Sequence, residues 1–195
     1  ADPAGRLEVA QLALALGATD RAAKLVEGLM QTLPQAERPH RLAYQIAVTQ
    51  NRLPEAATHL EAVLAAGGET TLGELRADHA ELLGLYGRQA ELASDDATRN
   101  DALTAALAVG ARWRALDPDH NELDRRMARL LLTAGRAEEA WRYLSTAIER
   151  HPYDGAGYLV VGDAQAEAGF ADQALATFRQ ALVLDQTNPA PRLRV

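Results

Sequence analysis

The sequence predicts an all-α fold, a solenoid of antiparallel helix pairs repeated about five times. Three observations carry that prediction. The 195-residue chain is rich in alanine and leucine, and aromatics make up 5% of it, a mix that favours closely packed helices over strands. A period of 34 residues runs through both ends of the chain. Within each period, apolar residues recur at three- and four-residue spacing, with glycine or asparagine where a helix would stop.

The first unit, 3–36, and the second, 37–70, are in register. Gly17 and Asn51 are 34 apart, as are Ala22 and Ala56, Val26 and Leu60, and Leu29 and Val63. Glycine and asparagine most readily take the left-handed conformation, so their equivalence is a physical match. The third unit, 73–120, is irregular. It matches only at Ala80, Leu83 and Gly87, where a helix end is expected. From Gly87 to the next such glycine, Gly135, there are 48 residues instead of 34, and the excess falls in 88–117. Either the second helix is lengthened, or a long loop precedes a restarted helix over Ala102–Leu116. The second alternative is favoured, because Ser94-Asp95-Asp96-Ala97-Thr98 offers a break and a helix start, and Asp117-Pro118 an end.

The fourth unit, 121–154, and the fifth, 155–188, are the clearest. Gly135 and Gly169, Ala140 and Ala174, Leu144 and Phe178, and Ala147 and Ala181 are all 34 apart. Leu123, Met127, Leu130 and Leu131 form one apolar face; Ala137, Ala140, Leu144, Ala147 and Ile148 form the next, which stops before Pro152. Ala128, Gly162, Ala140 and Ala174 are placed where two helices cross closely, so Ala140→Leu is expected to cost about 1–3 kcal/mol by overpacking. Residues 189–195 read as the beginning of a further element, and the chain starts at Ala1 and not at methionine. A piece of a longer protein is the expectation.

The pattern Tyr158, Gly162, Gly169, Ala174, Phe178 and Ala181 resembles the tetratricopeptide repeat. Ala128, Leu131, Gly135, Ala140, Leu144, Ala147 and Pro152 resemble it again. So do Ala10, Gly17, Ala22 and Pro34 in the first unit, although Ala13 stands where the fourth has Leu131, and Tyr44, Asn51, Ala56 and Leu60 in the second. The resemblance implies a right-handed superhelix whose first helices line a concave groove that binds a segment of another protein. It places Arg41 and Gln45, with Arg38 and Thr49, on that groove in the second unit. In the fourth it places Glu122, Arg125, Arg129 and Leu132 there, and in the fifth Leu159 and Asp163, with Ala166 and Glu167. The lysine and asparagine set with which some relatives clamp a chaperone's C-terminal carboxylate is missing: Lys24 is the only lysine.

Composition narrows the function further. The formal charge of −7 repels phosphate backbones, so no nucleic acid is expected as a partner. The absence of cysteine excludes disulfides, thiolate metal sites and cysteine nucleophiles. No stretch approaches the roughly 20 apolar residues of a membrane span, so no direct membrane insertion is expected. His40, His59, His79, His120 and His151 are scattered, with no pair at ligand spacing. Asp117-Pro118-Asp119-His120-Asn121 begins like a calcium loop, but Glu122 replaces the required glycine and Ala128 the closing glutamate. The carboxylates read as solvated outer faces. Trp113 and Trp141 fit either a surface anchor or a core filler, and the core is the default; Trp113 is expected to pack the irregular segment against the array.

The sequence therefore points to a non-enzymatic scaffold or adaptor that binds a protein or peptide, with no cofactor and no metal. Two alternatives stay open: a self-assembling module that forms a homo-oligomer through its terminal repeats, and a regulatory region of a larger enzyme. The Ala-Asp-Pro start and the absence of cysteine favour a bacterial periplasmic setting over the cytoplasm, and both stay open.

Overall fold

The computed structural model describes residues 2–186 apart from Glu69, Asp119, His120, His151 and Ala168; the side chains of Asn121, Ala147, Arg150 and Glu167 also lie outside the description. The calcium-like stretch at Asp119 and His120, the Ala147 equivalence, the Glu167 groove position and the element at 189–195 therefore fall outside the described residues.

Among the described residues all regular structure is helical. The helices are α1 (Pro3–Ala15), α2 (Thr19–Thr32), α3 (Glu37–Thr49), α4 (Leu53–Ala66), α5 (Leu72–Leu92), α6 (Asp96–Leu116), α7 (Asn121–Thr133), α8 (Ala137–Arg150), α9 (Gly155–Glu167) and α10 (Ala171–Leu184). They fall into two compact units, Ala1–Val109 and Gly110–Val195.

One local device recurs four times. At the end of α1, Gly17 takes φ +76°; its N–H donates to the Leu14 carbonyl at 2.9 Å, and the Ala18 N–H to Ala13 at 2.8 Å. This pair of bonds satisfies carbonyls that the helix end would otherwise leave open, and it turns the chain back. Asn51 repeats it after α3 with φ +55°, Gly135 after α7 with +73° and Gly169 after α9 with +84°. Each of the four turns separates a helix of 13 residues from one of 14.

Gly87 does not repeat it. It lies buried inside α5, which runs on to Leu92. Leu82, Leu83, Leu85 and Ala90 continue the buried face on both sides of it, so nothing local calls for a break. The long loop expected in 88–117 is likewise corrected. Only residues 93–95 connect α5 to α6, and both helices are 21 residues long. The helix start foreseen at Ser94-Asp95 is there: the Asp95 carboxylate accepts the Thr98 N–H at 2.8 Å and the Thr98 hydroxyl at 2.8 Å.

In the first unit α1 packs on α2 and α3, α2 on α3, α3 on α4, and α4 on α5. Leu7, Ala10 and Ala13 of α1 meet Ala22, Val26 and Leu29 of α2 and Leu42, Ala43 and Ile46 of α3 in one core. In the second unit α7 packs on α8 and α9, α8 on α9, and α9 on α10. Ala128, Leu144, Val161 and Ala164 centre that core, with Leu132, Trp141 and Tyr143 packed at its edge. The predicted close crossings hold. Ala128, Ala140 and Ala174 are buried, and a Cβ on Gly162 would lie 2.5 Å from Phe178 Cδ1. Trp113 is a core residue at 1% exposure.

Candidate interaction surface

In the first unit the candidate surface is carried by α3. Pro39, Leu42, Ala43, Ile46 and Ala47 form its buried face, and Arg38, Arg41 and Gln45 fall outside that stripe. Arg41 does not stand free there. Its guanidinium donates two parallel bonds to Asp78 on α5, Nη1 to Oδ1 at 2.9 Å and Nη2 to Oδ2 at 2.8 Å, and two more to Glu37 Oε1 at 3.0 and 3.1 Å. This fork suits arginine and not lysine. Its bonds to Asp78, ahead of those to Glu37, hold Arg41 still more firmly protonated than usual. One turn on, the Tyr44 hydroxyl donates to Glu81 of α5 at 2.9 Å. Burial, then that bond, raises the Tyr44 hydroxyl well above the ordinary tyrosine range. The two contacts are rungs between α3 and α5, three residues apart on each helix. Gln45 and Arg38 are exposed, and the exposed Thr49 donates its hydroxyl to its own helix at Gln45.

In the second unit α7 carries the corresponding group. Glu122 accepts from Arg125 at 2.7 Å and from Arg126 at 2.7 Å, and Arg125 reaches Asp154 before α9 at 3.5 Å. Burial opposes ionisation of Glu122, but the two arginines outweigh it and hold the carboxyl below its ordinary range. Arg129, one turn further, is exposed and in no ion pair with a described residue. Leu132 is half-buried against the unit's core, Leu159 and Asp163 are half-buried, and Ala166 is exposed. The eight expected contact residues thus divide. Arg41, Glu122 and Arg125 have internal ionic partners, Leu132 contributes to packing, and Gln45 and Arg129 are the most open.

Three features escaped the sequence reading. Asp78 and Asp124 are buried, not solvated: Asp124 is 1% exposed and ion-paired to Arg114, whose other nitrogen donates to the Pro118 carbonyl at 2.9 Å. His79 is buried, with Nδ1 bonded to the Leu75 carbonyl at 2.7 Å. His40 and His59, dismissed as scattered, meet with Nδ1 atoms 3.3 Å apart. A signal for that pair existed. The two residues lie at nearly equal distances before and after the turn at Gln50 and Asn51, and such residues meet across an antiparallel helix pair. Among the described residues, no group of three or more histidine, aspartate or glutamate side chains is placed to hold a metal ion. No described helix is long and apolar enough to cross a membrane.

A chain of helix pairs closed by identical left-handed turns, with polar rungs along its first-position helices, has the tetratricopeptide-repeat fold. Solved structures of that fold cover nearly all of it. The chain is similar to a thermophilic tetratricopeptide-repeat protein from Thermus thermophilus, with TM-score 0.62 and 19% identity over 99% of this chain and 96% of that one. It is similar to YrrB, described as having an unusual peptide-binding site, with TM-score 0.60 and 17% identity over 98% and 91%. It is also similar to MamA, with TM-score 0.67 and 14% identity over 94% and 92%. No protein-family model and no curated protein matches the sequence.

Proposed function

We propose that this chain is a protein–protein interaction scaffold that holds a segment of another protein against its first-position helices. The helix pairs 3–36, 37–70, 73–120, 121–154 and 155–188 act as its repeats. The observation that supports this most directly is the uneven use of polar residues on those helices. Arg41, Glu122 and Arg125 are tied into fixed internal pairs, while Arg38, Gln45 and Arg129 are left exposed beside them. Within each unit the fixed pairs hold the local surface in one shape, and the exposed groups are free to recognise a partner at little ordering cost. YrrB, a neighbour in fold, has a peptide-binding site. We further place the scaffold in a bacterial envelope assembly, a setting with which a chain free of cysteine is compatible.

The test is affinity capture from the native cell extract with the wild-type chain, Arg129→Glu and Arg38→Glu/Gln45→Glu. These positions are exposed, so the variants keep the fold. Loss of a captured protein by either variant is the expected result, and it names the unit that binds. Retention by both overturns the placement of the site.

A second reading draws on α1 and the residue that caps it: Val9 and Leu12 on the helix are 46% and 60% exposed, and Leu16 just past its end is 75% exposed. That stripe favours self-association at the terminal repeat. Light scattering across a concentration series decides it, because a constant monomer mass ends the idea.

A further inference from the structure

Among the polar groups with no part in the candidate surface, the His40–His59 pair has the most defined geometry. His40 is on α3 and His59 on α4, and both rings are half-buried. The ring centroids are 5.6 Å apart and the Nδ1 atoms 3.3 Å. The difference is what the two rings' own radii take up, so the nitrogens lie on the line joining the rings and face each other head-on. On its far side His40 Nε2 sits 2.9 Å from the carbonyl oxygen of Pro34, in the connection between α2 and α3.

These contacts fix the protons. A carbonyl only accepts, so His40 Nε2 must carry hydrogen. In a neutral ring His40 Nδ1 is then the acceptor, and His59 Nδ1 must be the donor. One added proton is accommodated. His40 becomes an imidazolium that donates from both nitrogens, to Pro34 and to His59 Nδ1, while the His59 hydrogen moves to Nε2. A second added proton is not. Both Nδ1 atoms would then carry hydrogen, with like charges on facing nitrogens and no acceptor between them.

We propose that His40 and His59 form an acid-sensitive latch that joins α3, α4 and the connection before α3, closed with up to one added proton and opened by the second. The surroundings support it. Burial, and then His40, hold His59 below the ordinary histidine range. The other charged groups acting on His59 are Glu55 on α4 and Arg52 at its N-cap; these are paired to each other, and no charged group of α2 or α5 is among them. On linkage grounds, a base depressed by folding contributes stability that is complete above its unfolded value and lost as the pH falls through its folded value. The latch therefore holds through the first protonation and weakens as the pH falls far enough to protonate His59 as well.

The experiment is ¹⁵N imidazole NMR on the intact chain, together with amide hydrogen exchange at about pH 7.5 and about pH 5 for the wild type and His59→Asn. Asparagine offers a donor near the Nδ1 position and does not titrate. At the higher pH His40 should appear as the Nε2–H tautomer and His59 as the Nδ1–H tautomer. On acidification, opening of α3 and α4 relative to α10 should rise severalfold in the wild type and little in His59→Asn. The opposite tautomers, or equal pH responses in the two proteins, overturn the latch. If His59→Asn fails to fold, the wild-type tautomers alone decide.

Discussion

Replacing Gly162 by alanine tests the closest packing in the second unit. A Cβ there would lie 2.5 Å from Phe178 Cδ1 and 3.0 Å from Cζ, and Phe178 itself is 4% exposed. Carbon atoms sit comfortably at about 3.5–4.0 Å, so the ring or α9 must retreat by roughly an ångström into a packed core. Overpacking of this kind costs about 1–3 kcal/mol. Alanine recovers about 0.5–1 kcal/mol over glycine inside a helix, so the net loss is on the order of 1–2 kcal/mol. Gly84 is the control: it lies within α5, exposed, with no atom within 4 Å of a built Cβ. Gly84→Ala should stabilise by about 0.5–1 kcal/mol. Urea unfolding followed by circular dichroism should move the two midpoints in opposite directions, and Phe178→Leu should soften the effect of Gly162→Ala by making room. If Gly162→Ala raises the midpoint as Gly84→Ala does, the close crossing of α9 and α10 is wrong.

Gly169→Ala meets no atom within 4 Å but keeps φ +84°. It should cost about 1 kcal/mol from backbone strain alone, and Gly169→Asn less, as urea midpoints will show. Trp113→Ala should cost about 3–5 kcal/mol, because the side chain is 1% exposed; in the wild type, acrylamide should quench Trp141 and spare Trp113. Glu122, depressed by Arg125 and Arg126 against the opposing effect of burial, contributes stability that is present above its unfolded value near pH 4.5 and lost as the pH falls through its lower folded value. The thermal midpoint should therefore fall more steeply with acid in the wild type than in Glu122→Gln.

What could be read in the sequence follows from what is local. The turns at Gly17, Asn51, Gly135 and Gly169 are written in single residues whose conformational freedom is intrinsic, and the period makes them visible. Gly87 misled because a glycine buried in a helix and a glycine closing one look alike in a string of letters. Here the difference lies in the residues after it, which continue the buried face to Ala90. The candidate surface was only half legible. Helical phase places Arg41, Gln45, Arg125 and Arg129 outward, but only coordinates show that Asp78, 37 residues from Arg41, and Asp154, 29 from Arg125, take up two of those charges. Buried Asp124 and the histidine pair depend in the same way on partners brought by folding.

The added length of α5 also bears on how such a chain can be edited. At 21 residues it exceeds α4 by seven. Seven residues make nearly two helical turns, so an extension of that size returns the apolar stripe to within about 20° of its starting direction. An extension of five would swing it by roughly 140°. Helices of this fold can thus be lengthened in sevens without choosing a new core, which makes α5 a natural place to graft further turns, or to shorten back by seven residues, while the faces that meet α4 keep their phase.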